Sequence, residues 1–302
     1  QEEFFWTPND ISSVLNNVIA TGKTSSLAYL LHTNYDVMLP DETSGINCIM
    51  QACYYNQTEV LEVLFKHLVD LEVDINLNST VDSIGRNMFF YTVMGKDYSE
   101  LLSFLFTNEH ANKLKCTAEG LRVQDSYGFS ILHIAVMNGY DMISKLELLC
   151  RKQLVEGLLM VDGIYGLTPL LLSCVLKQNY LIEHILTFID GSESTPLLKI
   201  VNAVDKHKRN CIWYLYHDIE LNIPMVKDLK YSNLPALDIA QNDLSVVCPY
   251  VTSDSILIQL LKIGCSLYCL DADDMNVFHR APVTQAVLDN IREMRELKYK
   301  SI

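Results

Sequence analysis

Glycine and proline are both scarce in this chain, 12 and 8 among 302 residues. That excludes a collagen-like fibre and a low-complexity disordered chain. Positive charge is also in short supply. Lys and Arg total 23 against 37 Asp and Glu, a formal net charge of -14. An acidic surface repels phosphate backbones, so no direct nucleic-acid binding is expected, and a basic or largely apolar ligand fits better. Long apolar runs are missing. The most hydrophobic stretch, Ile256 to Leu270, contains Gln259 and Lys262 and is shorter than the roughly 20 residues a spanning helix needs. A core helix followed by a turn is expected there, with no membrane insertion. No cluster of Lys and Arg marks an anionic membrane, and the acidic N-terminus has no long apolar run of the secretory kind.

CxxC pairs are absent too. Nine cysteines, at 48, 53, 116, 150, 174, 211, 248, 265 and 269, sit mostly among apolar neighbours. An odd count without metal-type spacing reads as reduced core thiols of an intracellular protein, in cytoplasm or nucleus. The sequons Asn56-Gln-Thr58 and Asn78-Ser-Thr80 bear only on a secreted chain. What is abundant is apolar residues, at 49%, enough for a large core.

The apolar residues recur in a pattern. The clearest copy is Asp125-Ser-Tyr-Gly128-Phe-Ser-Ile-Leu132-His133-Ile-Ala135-Val-Met-Asn-Gly139, and the next is Gly166-Leu-Thr168-Pro169-Leu170. Gly45-Ile-Asn47-Cys-Ile49-Met-Gln-Ala52 leads into Val60-Leu61-Glu-Val63-Leu64-Phe65, and Asp82-Ser-Ile-Gly85-Arg-Asn87-Met-Phe89 into Leu101-Leu102-Ser-Phe104-Leu105. Weaker copies start at Asp205, Pro235 and Asp271. An Asp opens a tight turn by accepting from nearby amides, and the Gly supplies a positive φ. Thr, Asn or Ser caps a first helix, and Pro inside its first turn loses no hydrogen bond. The Val/Ile-x-x-Leu-Leu run gives a second helix its apolar stripe.

This pattern resembles the ankyrin repeat. The resemblance implies an all-α, ankyrin-type solenoid of stacked helix-turn-helix repeats with inserted loops, and a protein-binding role without cofactors. One elongated domain over 1–302 is expected: an N-terminal helical cap at 1–40, the clearest repeats at 41–204, degenerate repeats at 205–281 and a C-terminal capping helix at 282–302. Ile11 to Ile19 and Ser26 to Leu31 read as the first helix pair, and Val283 to Leu297 as the closing helix. The glycine-position residues 45, 85, 128, 166, 208, 233 and 274 are spaced by 40, 43, 38, 42, 25 and 41. Against about 33 for the family, most copies carry insertions, placed at 66–80, 107–122, 189–203 or 241–253. The step of 25 means that the copy at Asp205 lacks its second helix or that one weak copy is false. The resemblance also gives His133 and His279 the task of tying adjacent turns together.

Signals of catalysis are weak. Gly22-Lys23-Thr24 ends like a phosphate-binding loop, but position 17 is Asn where that loop needs Gly, so a turn between helices is expected. Asp271-Ala-Asp273-Asp274 lacks the glycine and closing glutamate of a calcium loop. Cys265, Cys269 and His279 match no common zinc spacing. No metal site or catalytic residue is assigned, and the enzymatic alternative is a cysteine hydrolase.

By the resemblance, partners meet the turn tips and the ends of the first helices. The turn-tip positions are Ile46, Arg86, Phe129, Leu167 and Arg209; the helix-end positions include Tyr54, Tyr55, Met94, Met137 and Leu176. A groove around Tyr54, Tyr55, Met94, Phe129, Met137 and Leu176 would take an apolar or basic peptide or helix of another protein. The competing reading buries these side chains in the core. The functional reading is a protein-interaction scaffold or adaptor, the alternative a regulatory module of a larger transcription or cell-cycle regulator.

Overall fold

The structure is a computed structural model that describes residues 8–32, 36–95, 99–138, 156–190, 196–216, 254–263 and 284–300. Their regular elements are helices. Two compact units divide the described residues between Ser126 and Tyr127.

In the first unit, α1 (Pro8–Ala20) and α2 (Thr24–Leu31) form the expected helix pair. Gly22, at φ 68°, ends α1, with the N–H groups of Gly22 and Lys23 reaching back to Ile19 O and Val18 O. This is a left-handed helix cap, so Gly22-Lys23-Thr24 is a turn. The next pair is α3 (Cys48–Tyr54) and α4 (Thr58–Asp70). Asn47 caps α3 by accepting from Met50 N at 3.0 Å. The link to α4 needs another left-handed residue, and Asn56 supplies it at φ 55°. Then come α5 (Met88–Met94), capped by Asn87, and α6 (Ser99–Thr107). The insertion expected at 107–122 folds into α7 (Glu109–Lys113) and a 3-10 turn, Ala118–Arg122. Helix α3 packs between α1 and α5, while α4 lies against α2, α3 and α7. Helix α4 buries Val60, Leu61, Leu64, Phe65 and Leu68, a spacing of one, three and four residues that makes one face. Each such side chain contributes about 1.5–3 kcal/mol on full burial.

The second unit repeats the scheme. Helix α8 (Ile131–Asn138) packs against α9 (Pro169–Val175), and α9 against α10 (Asn179–Asp190) and α12 (Cys211–Tyr216). Thr168 caps α9, with Pro169 in its first turn. Lys177, at φ 54°, closes α9 as Asn56 closes α3. The insertion expected at 189–203 contains α11 (Pro196–Val201). Helix α13 (Asp254–Ile263) packs on α10, α11 and α14 (Gln285–Lys300), the expected closing helix. The turn and first helix of the copy at Asp205 are present: Lys208 takes the glycine conformation at φ 61°, and Asn210 caps α12 by accepting from Trp213 N at 3.0 Å. The copies at 233 and 274, with His279, lie outside the described residues, as does the second helix in question after Asp205.

Candidate partner-binding surface

The turns at Asp41, Asp82, Asp162 and Asp205 are each built on the Asp carboxylate. Asp82 Oδ1 accepts from Ile84 N at 2.9 Å and Arg86 N at 2.8 Å. Asp162 accepts from Ile164, Tyr165 and Leu167 N–H groups at 2.6–2.8 Å. Asp205 Oδ1 accepts from His207 and Arg209 N–H groups. Asp41 accepts from the hydroxyls and N–H groups of Thr43 and Ser44, with the Thr43 hydroxyl foremost in holding its carboxyl below the usual carboxylate range. The residue after the glycine returns the chain: the Asp N–H donates to the carbonyl of Ile46, Arg86, Leu167 or Arg209 at 2.9–3.0 Å.

Successive turns are bonded to each other. Ser83 N donates to Ser44 O at 3.1 Å and Ser126 N to Ile84 O at 2.7 Å in the first unit. In the second, Gly163 N donates to Tyr127 O at 2.7 Å and Lys206 N to Tyr165 O at 2.9 Å. The approach is close enough that a Cβ on Gly128, already at φ 79°, would lie 2.4 Å from Gly163 N. Side chains reinforce the ties. The Arg86 Nε and Nη2 groups donate to Asp125 Oδ2 at 3.1 and 3.0 Å, fully buried on both sides. His133 Nδ1 lies 3.1 Å from Ser130 N, which can only donate, so Nδ1 is the acceptor and Nε2–H donates to Leu167 O at 2.9 Å. His133 thus ties two turns as expected. Burial, opposed in part by the Leu167 carbonyl, pushes its pKa down to about 4, so the ring is neutral near pH 7.

The residues expected at the surface differ in exposure. Ile46, Arg86, Phe129 and Leu167 are 5%, 0%, 1% and 1% exposed. On the returning limb of their turns the carbonyls of Ile46, Arg86 and Leu167 accept from the Asp N–H, and their side chains face inward. Arg209 is half-buried. Met94 is buried in α5 and Tyr54 nearly so, its ring edge-on to Tyr55 at 5.2 Å. Of the nine side chains, Tyr55 in the first unit and Met137 and Leu176 in the second stand half-exposed.

Exposed instead are residues between Asp and Gly: Glu42 and Thr43, Ser83, Ser126, Gly163, and Lys206 with His207. Val81, Val161 and Val204, one residue before the turn Asp, are 43%, 48% and 40% exposed. In sequence these valines look like core. The basic run Lys206-His-Lys208-Arg209 was hidden by the net charge of the whole chain.

Nothing described here favours nucleophilic chemistry. Cys48, Cys53, Cys116, Cys174 and Cys211 are buried and unpaired, and burial pushes the Cys48 and Cys116 thiols up to about 12. A thiolate nucleophile needs the opposite shift. The zinc candidates Cys265, Cys269 and His279 and the Asp271 loop lie outside the described residues.

Among solved structures, the fold is similar to the ankyrin repeat domain of Bcl-3, a protein described as a unique member of the IkappaB family. The TM-score is 0.55, over 92% of this chain and 97% of that one, at 12% sequence identity. No family model matches the sequence, and no curated protein does. The chain has the ankyrin-repeat fold, and its regular helix-turn-helix units are those the sequence pattern implied.

Proposed function

We propose that this chain is a protein-binding scaffold that receives its partner on the turn tips and the adjoining ends of the first helices. One observation carries the reading: in the turns at Asp41, Asp82, Asp162 and Asp205 an Asp carboxylate fixes the backbone and the Asp N–H closes on the residue after the left-handed position, while the side chains presented differ from turn to turn. Thr43-Ser44, Ser83-Ile84, Ser126-Tyr127, Ile164-Tyr165 and Lys206-His207 occupy the two places before the left-handed residue. A rigid backbone with interchangeable tips meets a partner without the ordering cost of a flexible loop. In the second unit, half-exposed Met137, Val175 and Leu176 at the ends of α8 and α9 add apolar contact area; in the first unit Tyr55 does the same at the end of α3.

The partner is a protein segment of apolar or basic character over most of this acidic surface, met in the reducing interior of a cell, where unpaired thiols persist. The test is affinity purification of the intact chain followed by mass spectrometry, beside Tyr55→Ala and Met137→Ala. A partner kept by the parent and lost by a variant of unchanged melting temperature supports the reading. Partners that ignore both substitutions, or losses matched by lower stability, contradict it.

A further inference from the structure

The turn at Asp205 differs in charge from every other described turn. Between 194 and 217 the chain carries Lys199, Lys206, Lys208 and Arg209 and one acidic residue, Asp205, in a protein with a 14-charge acidic excess. Asp205 is 5% exposed and has its carboxylate taken by Arg209 Nη2 at 2.6 Å and by the Tyr214 hydroxyl. Lys199, Lys206, His207 and Lys208 are exposed. Lys206 does not trail into solvent. Its ammonium donates to Ile164 O at 2.8 Å and to Gly163 O, the backbone of the preceding tip. These carbonyls fix the charge in place without cancelling it.

The basic tip is flanked by apolar surface of the same unit. Val204 is 40%, Val161 48% and Leu159 39% exposed, and Ile164 and Tyr165 on the bonded neighbouring tip are half-exposed. A lysine held in place by the neighbouring tip, with exposed Lys208 and Lys199 on the same stretch and exposed valine and leucine beside it, is complementary to a short acidic segment that carries apolar side chains. We infer that the Asp205 turn, with the preceding Asp162 turn, docks an acidic peptide segment of a partner protein. The inference rests on the scaffold reading and gives this one surface a partner chemistry opposite to that of the acidic remainder.

Range decides between a peptide and a nucleic acid. Exposed charges interact over a Debye length of about 8–10 Å. A segment of a few residues feels only the local cluster, whereas a polyphosphate strand would run on over an acidic surface that repels it.

The test uses the intact chain and fluorescence anisotropy with three probes: a labelled peptide of about ten residues alternating Glu and Leu, the same peptide with Lys for Glu, and a single-stranded oligonucleotide of about ten nucleotides. The glutamate peptide should bind, weaken several-fold between about 50 and 200 mM salt, and lose at least tenfold in affinity to Lys206→Glu/Lys208→Glu. Should that double variant fold poorly, Lys206→Gln/Lys208→Gly removes both charges, restores glycine to the left-handed position, and should lose affinity likewise. Equal binding of the glutamate peptide to parent and variants, preference for the lysine peptide, or tighter binding of the oligonucleotide would overturn the inference. Failure here with partner capture still sensitive to Tyr55 or Met137 sinks this docking surface alone; loss of both sinks the scaffold reading.

Discussion

The turns that begin at Asp82 and Asp205 carry the same three residues at the same spacing: Asp, then Arg four positions on, then Tyr nine positions on. In both the tyrosine hydroxyl donates to the Asp Oδ2 at 2.5 Å, and burial and the carboxylate raise the pKa of both phenols. The arginines part company. Arg86 reaches the Asp of the next turn and is wholly buried. Arg209 folds back on its own Asp205, lies over the Trp213 and Tyr214 rings at 4.9 and 5.1 Å, and keeps 14% of its side chain exposed. One motif therefore yields a core tie between turns in the first unit and a charged tip in the second. Local sequence sets the turn; the group that the long side chain can reach decides whether it serves stability or surface.

The largest expected effect follows from breaking the buried tie. Arg86→Ala leaves the Asp125 carboxylate, 5% exposed, without its counter-charge, and removing one partner of a buried pair costs about 3–5 kcal/mol. Urea unfolding reads it directly.

Next comes the tie made by a neutral ring. The His133 pKa falls from 6.5 to about 4 on folding, so between those values the unfolded chain binds the extra proton and stability rises with pH. Its contribution is complete above about pH 6.5 and is lost as pH falls toward 4, a change of about 3 kcal/mol at roughly 1.4 kcal/mol per unit. Unfolding measured across that range should show the slope, and His133→Gln should flatten it. A variant with the parent's slope would place the titration elsewhere.

Arg209→Ala probes the other half of the pair. The Arg209 side chain is 14% exposed and its carboxylate partner is buried, but Asp205 keeps the His207 and Arg209 amides and the Tyr214 hydroxyl as donors, so the loss should stay below that of Arg86→Ala. Equal losses would erase the distinction between tie and tip.

The smallest effect has the opposite sign. Lys208 holds φ 61° where the other described turns place glycine. A left-handed residue with a side chain is strained by about 1–2 kcal/mol, offset in part by the entropy glycine loses on folding. Lys208→Gly should therefore raise the melting temperature slightly, and a fall would mean that the lysine stem packs usefully at the tip.

The repeat was legible because its turn chemistry is local. Asp125 with Gly128, Thr168 with Pro169, and Asn47 and Asn87 as caps each declare a turn and a helix start within a few residues. Even the copy at Asp205 could be found, although Lys208 replaces its glycine. The facing of side chains was not legible in the same way. Ile46, Arg86, Phe129 and Leu167 follow the glycine directly, and nothing local says that the returning limb turns them inward. For Ile46, Arg86 and Leu167 that goes with the Asp amide pairing with their carbonyls. Val81, Val161 and Val204 mislead in reverse, being apolar residues left at the surface by the turn that follows them. Nothing local marks Asn56 and Lys177 as the left-handed residues that close α3 and α9.

The claim on which the account turns is that the Asp-based turns are coupled to one another by side chains that sequence alone would assign to the surface. A double-mutant cycle between Arg86→Ala and Asp125→Ala, read by urea unfolding, tests it most directly. A coupling energy of about 2 kcal/mol or more is predicted, within the range for residues in one buried network. Additivity to within about 0.5 kcal/mol, as found for independent sites, would contradict it.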